Sequence, residues 1–136
     1  MKTLFKLFLV IGIISLVVTS CKKDEEDEGE ELKISFKTSA GYTYADATLP
    51  GGTAIKVGIE AETEKAQDPI IKFNISESVN GATPTTVYSE DLENTTYEYD
   101  YNFTLNTVSG NEHKYTFTIT NRDGLNEQKS ITFTVE

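Results

Sequence analysis

Apolar and polar residues alternate with a period of two along most of the chain after residue 31. In Tyr97–Leu105, for example, aromatic or aliphatic residues occupy every second position, and acidic, amide or hydroxyl residues lie between them. This period is typical of strands that turn one face to a core and the other to water, as in antiparallel sheets. The pattern predicts seven strands: Leu32–Phe36, Ile55–Ala61, Ile71–Ile75, a weaker Thr85–Glu90, Tyr97–Leu105, Tyr115–Ile119 and Ile131–Val135.

Clusters of glycine, proline and asparagine separate the predicted strands, because these residues favour the backbone angles of tight turns. The clusters are Pro50–Gly52, Gln67–Pro69, Asn80–Gly81, Ser109–Asn111 and Asn121–Gly124. Amphipathic strands of this kind bury their apolar faces when two sheets pack face to face. The sequence therefore predicts an all-β fold in which residues 32–136 form a single seven-stranded antiparallel β-sandwich.

The first twenty residues follow a different pattern. Lys2 and Lys6 precede an apolar run that ends at Val18. The run is shorter than the roughly 20 residues of a typical membrane-spanning helix, but it has the length of the apolar part of an export signal. We therefore expect residues 1–20 to be a signal peptide that is removed.

The end of this signal carries a second pattern around the single cysteine of the chain. Val18-Thr19-Ser20-Cys21 resembles the bacterial lipobox, in which an aliphatic residue and two small residues precede a cysteine. The resemblance implies cleavage between Ser20 and Cys21 and attachment of lipid to the Cys21 thiol. Two or three acyl chains, at about 0.8 kcal/mol per buried CH₂, give durable membrane anchoring.

Residues 22–31 contain seven acidic residues in ten, so we expect a disordered tether that spans up to about 35 Å. Within it, Lys23-Asp24-Glu25-Glu26-Asp27 resembles the acidic export tag of surface lipoproteins from Bacteroidetes. This resemblance implies a protein anchored in the outer membrane and exposed at the cell surface. The predicted organisation is a signal at residues 1–20, a lipidated Cys21 and tether at 21–31, and a domain at 32–136.

The end of the chain resembles the final hairpin of bacterial Ig-like domains of the polycystic-kidney-disease type. The residues that carry the resemblance are His113–Gly124, a strand that ends in an Asn-x-x-Gly turn, and the closing strand Ser130–Val135. The resemblance implies an Ig-like Greek-key sandwich, with Tyr115 as a tyrosine-corner residue whose hydroxyl bonds to upstream backbone. With one Cys and no Trp, a disulfide-pinned antibody-type core is excluded.

Charge and residue content narrow the functional classes. The net charge of −10 becomes −12 once Lys2 and Lys6 leave with the signal, and such a surface repels nucleic acid. His113 is the single histidine and is expected to face solvent. Because a zinc site needs three or four His or Cys ligands, one histidine is too few to form one. The carboxylate pairs Glu60/Glu62 and Glu98/Asp100 are interpreted as solubilising charge. We therefore predict no enzyme activity, catalytic residue, metal site or cofactor.

The leading hypothesis is a surface-anchored module for adhesion, assembly or scaffolding, with the membrane and an unknown protein or polysaccharide as its partners. One alternative is a small glycan-binding lipoprotein that uses Tyr42, Tyr44 and Tyr88, which fall outside the core pattern. The other is a calcium-dependent module, because Asn121–Asn126 and Ser89–Asn94 are rich in oxygen ligands and are expected to form loops.

Overall fold

Two β-sheets are built from residues 31–136, the part of the chain that the computed structural model describes. The predicted signal, Cys21 and the predicted export tag lie outside the described residues. The strands are β1 (Leu32–Phe36), β2 (Ala47–Leu49), β3 (Ala54–Thr63), β4 (Ile70–Val79), β5 (Thr85–Asn94), β6 (Thr96–Thr104), β7 (Glu112–Asn121) and β8 (Asn126–Val135). One sheet has the order β1-β3-β6 and the other β2-β8-β7-β4-β5. Within residues 31–136, no helix is long and apolar enough to cross a membrane. The all-β prediction is confirmed.

The predictions of seven strands and of antiparallel pairing throughout are both wrong, because of β2. This strand has three residues and pairs in parallel with β8, from Ala47 opposite Phe133 to Leu49 opposite Val135. Three residues are too few to show a period of two, so the hydrophobic pattern could not reveal it. The other five strand pairings within residues 31–136 are antiparallel.

The chain changes sheets between β1 and β2. Lys37 N–H donates to the Gly58 carbonyl (2.9 Å) and Thr43 N–H to the Lys56 carbonyl (2.8 Å), so this segment continues beside β3. Asp46 then accepts a hydrogen bond from the backbone N–H of Thr132 on β8 (2.8 Å). The first and second strands are thereby fixed to opposite sheets.

The apolar faces of the two sheets meet in one core, and each large side chain there contributes on the order of 1.5–3 kcal/mol, largely offset by chain entropy. In β4 the register shifts between Ile70 and Lys72, so Ile70 is fully buried where the simple alternation predicted Ile71. The most deeply buried core side chains are Leu32, Val57, Ile59, Ile70, Phe73, Ile75, Leu105, Phe117, Ile119, Ile131, Phe133 and Val135.

The sandwich has two ends of different composition. The end that holds Leu32, the first residue of β1, is formed by the loops Glu64–Pro69 and Arg122–Leu125 and is called the tether-side pole. The opposite end is formed by the loops Pro50–Thr53, Asn80–Pro84 and Leu105–Asn111 and is called the distal pole. Ten-residue strands at about 3.3 Å per residue separate the two poles by roughly 33 Å.

One edge of the five-stranded sheet is β5, and the short strand β2 is at the other. The pairing of β5 with β4 shifts register twice, between Ile70 and Lys72 and between Ile75 and Ser76. Its second half carries Glu90, Asp91 and Glu93. Irregular pairing and charge are two devices by which natural sheets prevent a further strand from adding to an edge.

Candidate functional site

Tyr42, one of the three tyrosines predicted to contact a ligand, lies on the outer face of the three-stranded sheet. Its ring covers Gly58, where an added Cβ would lie 2.5 Å from the ring atom Cε1. The Tyr42 hydroxyl donates to Asp100 Oδ2 (2.9 Å), and Lys56 Nζ lies 4.5 Å from the ring centroid. The ring is therefore engaged within the domain and fixes the segment between β1 and β2.

The carboxylate pair Glu98 and Asp100 is neutralised by lysines on the same face. Lys56 Nζ is 2.9 Å from Asp100 Oδ2, and Lys37 Nζ lies 3.1 Å from Asp100 Oδ1 and 2.9 Å from Glu98 Oε2. The hydrogen bonds from Lys56, Lys37 and Tyr42 lower the pKa of Asp100 to about 2. Hydrogen bonding to Glu98 is the main cause that raises the pKa of Lys37. The Lys37 side chain can cross β3 to reach β6 because Gly58 has no side chain in its path; an added Cβ there would lie 2.7 Å from Lys37 Cδ.

The remaining predicted pair, Glu60 and Glu62, is exposed on β3. Glu60 lies opposite Glu98 in the β3–β6 register, and Glu62 lies opposite Thr96. These side chains line an open depression of about 580 Å³ on the tether-side half of the sheet, together with Lys33, Ser35 and their neighbours. The depression is broad and charged, with mixed signs along its walls.

The other two predicted tyrosines lie in different environments. Tyr44 is 49% exposed. Tyr88 instead faces the space between the sheets, where its ring stacks on Tyr99 at 4.6 Å between centroids. Its hydroxyl and that of Tyr97 donate to Glu90 Oε2 at 3.0 and 2.6 Å, and burial raises the pKa of Tyr88 to about 12. The three tyrosines do not share one surface.

His113 is 5% exposed, so the prediction that it faces solvent is wrong. Its Nδ1 lies 2.7 Å from Glu77 Oε1, which also accepts a hydrogen bond from the Tyr115 hydroxyl (2.9 Å). The predicted tyrosine corner, with a hydroxyl bonded to backbone, is replaced here by a bond to a carboxylate. The signal for burial was present in the sequence, since His113 has the same parity as Tyr115 and Phe117 on β7.

The two segments predicted as calcium loops serve the fold. Ser89–Asn94 lies in β5 and is not a loop. In Asn121–Asn126, the Asn121 side chain is fully buried, donates to Asp68 Oδ2 (2.5 Å) and accepts from the Leu125 N–H (2.7 Å). Asp68 Oδ1 accepts from the Asp123 N–H (2.8 Å). The Asn121 side-chain oxygen and both carboxylate oxygens of Asp68 are thus occupied by internal hydrogen bonds.

Across residues 31–136, no group of three or more His, Cys, Asp or Glu side chains is placed to hold a metal ion. His113 is buried, and its Nδ1 is hydrogen-bonded to the Glu77 carboxylate. The polar side chains described above, such as Asp100, Glu77 and Asp68, therefore connect strands and loops of the domain.

The polar clusters described above are joined by side chains, whereas the loops of the distal pole are joined largely by backbone hydrogen bonds. Gly52 N–H donates to the Leu105 carbonyl and Leu105 N–H to the Thr53 carbonyl, both at 2.9 Å. Gly51 lies so close to Thr107 that an added Cβ would be 2.7 Å from its Cα. Val108, at the tip of the Leu105–Asn111 loop, is 58% exposed. The pole is a small surface of hydrogen-bonded loops that no sequence pattern had indicated.

No protein-family model matches the chain, and no curated protein matches it either. In fold, the chain is similar to superoxide reductase (neelaredoxin) from Ignicoccus hospitalis, with a TM-score of 0.50 and 10% sequence identity. That alignment covers 77% of this chain and 80% of the other. A variant of the same reductase gives a TM-score of 0.54 at 8% identity, over 81% and 85% of the two chains. At these identities the likeness concerns the sandwich architecture alone.

Proposed function

We propose that this chain is a surface lipoprotein that presents a non-catalytic β-sandwich as an interaction module for adhesion, assembly or scaffolding. The observation that carries the proposal is the end of the domain at which the predicted tether enters. β1 begins at Leu32, directly after the acidic segment predicted to be a tether to Cys21. A domain held from this end turns its distal pole away from the membrane.

The sandwich is, in this proposal, Ig-like. Its connectivity corresponds to the immunoglobulin order when β1, β3 and β6 are assigned to strands A, B and E. β8, β7, β4 and β5 then correspond to G, F, C and C′. The short parallel strand β2 is an addition beside β8, formed when the chain changes sheets.

The contacts of the reactive side chains support a binding role over a catalytic one. Asp100 is held by two lysines and Tyr42, and the His113 imidazole faces Glu77 inside the core. Catalytic groups need to converge on space that a substrate can enter. Here the charged groups are directed at one another.

Replacing the cysteine tests the anchor. In cells that produce Cys21→Ala, the protein should leave the membrane fraction, whereas Ser109→Ala, a loop change of similar size, should remain in it. Membrane partitioning that is unchanged in Cys21→Ala would contradict the proposal.

Neutralising the acidic tag tests the direction of display. A variant with Asp24–Glu28 replaced by Asn and Gln should still be anchored, but protease added to whole cells should digest it less than the unaltered protein. Equal digestion of both would remove the outward-facing part of the proposal and leave the anchor intact.

Glycan binding is the second candidate, supported by the half-exposed ring of Tyr44. Aromatic rings of this kind stack on sugars, and Tyr44→Ala should then abolish retention on a polysaccharide affinity gel. Retention that is equal in Tyr44→Ala and the unaltered protein would contradict a tyrosine-based site.

A further inference from the structure

Strand β6 is a long free edge of the three-stranded sheet. Among the described strands it pairs with β3 alone, in an unbroken register of nine residue pairs. At one end of this pairing Thr63 N–H donates to the Thr95 carbonyl, and at the other Leu105 N–H donates to the Thr53 carbonyl. Because bonded and non-bonded residues alternate in an antiparallel pair, the odd-numbered residues of β6 direct their N–H and C=O groups at β3. The residues that direct these groups away from the sheet are Thr96, Glu98, Asp100, Asn102 and Thr104.

Within residues 31–136, these outward backbone groups of β6 have no backbone partner. The Asn102 side-chain amide donates to the Asp100 carbonyl over 3.4 Å, which is long for a hydrogen bond. A strand that leaves such groups unpaired is a template to which the extended segment of another protein can add through backbone hydrogen bonds.

The apolar face of β6 is also incompletely covered. Tyr88 on β5 stacks on Tyr99, so the edges of the two sheets lie on the same side of the sandwich. The inward side chains of β3 are all buried, whereas those of β6 are all partly exposed. A strand added beside β6 would therefore pair with free backbone groups and also cover aromatic rings. The partly exposed inward residues of β6 are Tyr97, Tyr99, Tyr101 and Phe103.

The other sheet edges are shorter or irregular. β1 has five residues, and its inward Leu32 and Ile34 are already buried. β2 has three residues, and β5 pairs with β4 through two shifts of register. Short or irregular strands are poor templates for a further strand. β6 therefore differs from the other edges in its combination of length, regular pairing and uncovered apolar surface.

Charge indicates which kind of strand fits this edge. Glu98 lies opposite Glu60 in the β3–β6 register, and its side chain is 68% exposed although Lys37 contacts it. Like charges in opposite positions of a sheet repel, so a basic side chain beside Glu98 would be favourable. The two strands that border this side of the sandwich contain acidic residues and no basic one; the acidic residues are Glu90, Asp91, Glu93, Glu98 and Asp100.

The same charges disfavour a second copy of β6 as the added strand. An antiparallel pair of two β6 strands centred on Glu98, Tyr99 or Asp100 places a carboxylate opposite a carboxylate. A basic strand meets no such repulsion in any register.

We propose that the free edge of β6 binds an extended segment of a partner protein in which apolar residues alternate with lysine or arginine. The segment adds antiparallel to β6, which continues the alternating directions of β1, β3 and β6. Its apolar side chains cover the tyrosines, and its basic side chains lie on the outer face beside Glu98. This inference rests on the proposed function, because it names the binding surface of the interaction module and the chemistry of its partner.

Binding of a synthetic peptide tests the proposal. The probe is a fluorescein-labelled peptide of about nine residues, the length of β6, in which valine and lysine alternate. Its binding to the protein, purified from bacterial membranes in a nonionic detergent, is followed by fluorescence anisotropy at about 0.15 M NaCl. One control peptide has the same composition with valines and lysines in separate blocks, and another has glutamate in place of lysine. Neither control should bind.

Methylation of the peptide backbone tests strand addition directly. In an antiparallel strand whose lysines lie beside Glu98 and Asp100, the lysine N–H groups face β6 and the valine N–H groups face away. N-methylation of the lysines should therefore weaken binding by at least about tenfold, whereas N-methylation of the valines should leave it unchanged. Equal binding of the two methylated peptides would overturn the inference.

Two substitutions at one position test the edge of the protein. Asn102→Pro removes an N–H that faces away from β3, a position at which a sheet tolerates proline, and should weaken binding by at least about tenfold. Asn102→Ala keeps this N–H and frees the Asp100 carbonyl, so it should bind at least as tightly as the unaltered protein. Equal melting temperatures show that the difference is not caused by unfolding. If Asn102→Pro melts lower, the methylated peptides, which are measured on the unaltered protein, decide the question.

Three further results would overturn the inference. They are a failure of the alternating peptide to bind, equal binding of the block peptide, and equal affinity of the two Asn102 variants. A dimer of the unaltered protein in sedimentation velocity that Asn102→Pro abolishes would assign the edge to a second copy and overturn it as well. None of these results bears on the anchor, since the membrane partitioning of Cys21→Ala is measured separately.

Discussion

The two poles of the sandwich are closed by different kinds of contact. At the tether-side pole, the buried carboxylate of Asp68 joins Asn121 to the backbone of Asp123, and ion pairs link Lys65 to Glu31 and Arg122 to Glu93. At the distal pole, backbone hydrogen bonds, close glycine packing and the side-chain bonds of Asn80 join loops that contain no charge. One pole is therefore stabilised by charged side chains and is sensitive to their loss, whereas the loops of the other pole carry no charge.

The largest effect is expected when the tether-side pole loses its central carboxylate. Asp68→Ala leaves the buried Asn121 amide and the Asp123 N–H without an acceptor, which should lower the free energy of unfolding by about 3 kcal/mol. Urea denaturation measures this loss. The control Asp91→Ala removes an exposed carboxylate from β5 and should cost less than about 0.5 kcal/mol. Equal stability of the two variants would show that Asp68 does not hold this pole together.

A smaller effect is expected when the distal pole loses its asparagine. Asn80→Ala removes two hydrogen bonds and places alanine at a φ of 51°, for an expected loss of about 2 kcal/mol. Asn80→Gly removes the bonds but accepts the backbone angle, so the loss should be about 1 kcal/mol. If glycine is no better than alanine, backbone strain at this position does not contribute.

Low pH tests the contribution of the Asp100 ion pairs to the stability of the fold. The pKa of Asp100 is lowered in the folded state to about 2, so its contribution is present above the ordinary value of 3.8 and is lost as pH falls from about 4 towards 2. Thermal melts across this range should show a steeper decline for the unaltered protein than for Asp100→Asn. Parallel declines would mean that the lysine contacts on this face do not favour the folded state.

The smallest effect is expected from calcium, because the side-chain oxygen atoms of Asp68 and Asn121 already accept hydrogen bonds from backbone and amide groups. Adding millimolar calcium or a chelator should leave the melting temperature unchanged. A rise with calcium that Asp68→Ala abolishes would instead place a cation at this pole and reverse the assignment of Asp68 as a structural carboxylate.

The fold class could be predicted from sequence because the relevant physics is local. Alternation along β1, β3 and β7 reports directly which side chains face the core. The same reasoning failed at β2, which exists through its pairing with β8, and at Ile70, where a shift in register moved the buried position by one residue. Pairing and bulges depend on the partner strand, which no single segment encodes.

The polar contacts were predicted less well for the same reason. Tyr42 and Tyr88 fall outside the period of two, yet one covers Gly58 and the other stacks on Tyr99. The partner of His113 is Glu77, 36 positions earlier in the chain. Composition indicated that the chain is acidic, but the concentration of neutral residues at one pole emerged only when three distant loops were brought together.

The antiparallel pairing of β1 with β3 has a mechanical consequence. A load applied between Cys21 and the distal pole would run along the strand axes, because the chain enters β1 at Leu32 and the pole lies beyond the other end of the sheet. The hydrogen bonds between Leu32–Phe36 and Ile59–Thr63 lie across that axis, so they would be sheared together and would not open one after another. An anchored domain with this geometry is expected to resist pulling more than its thermodynamic stability alone would indicate.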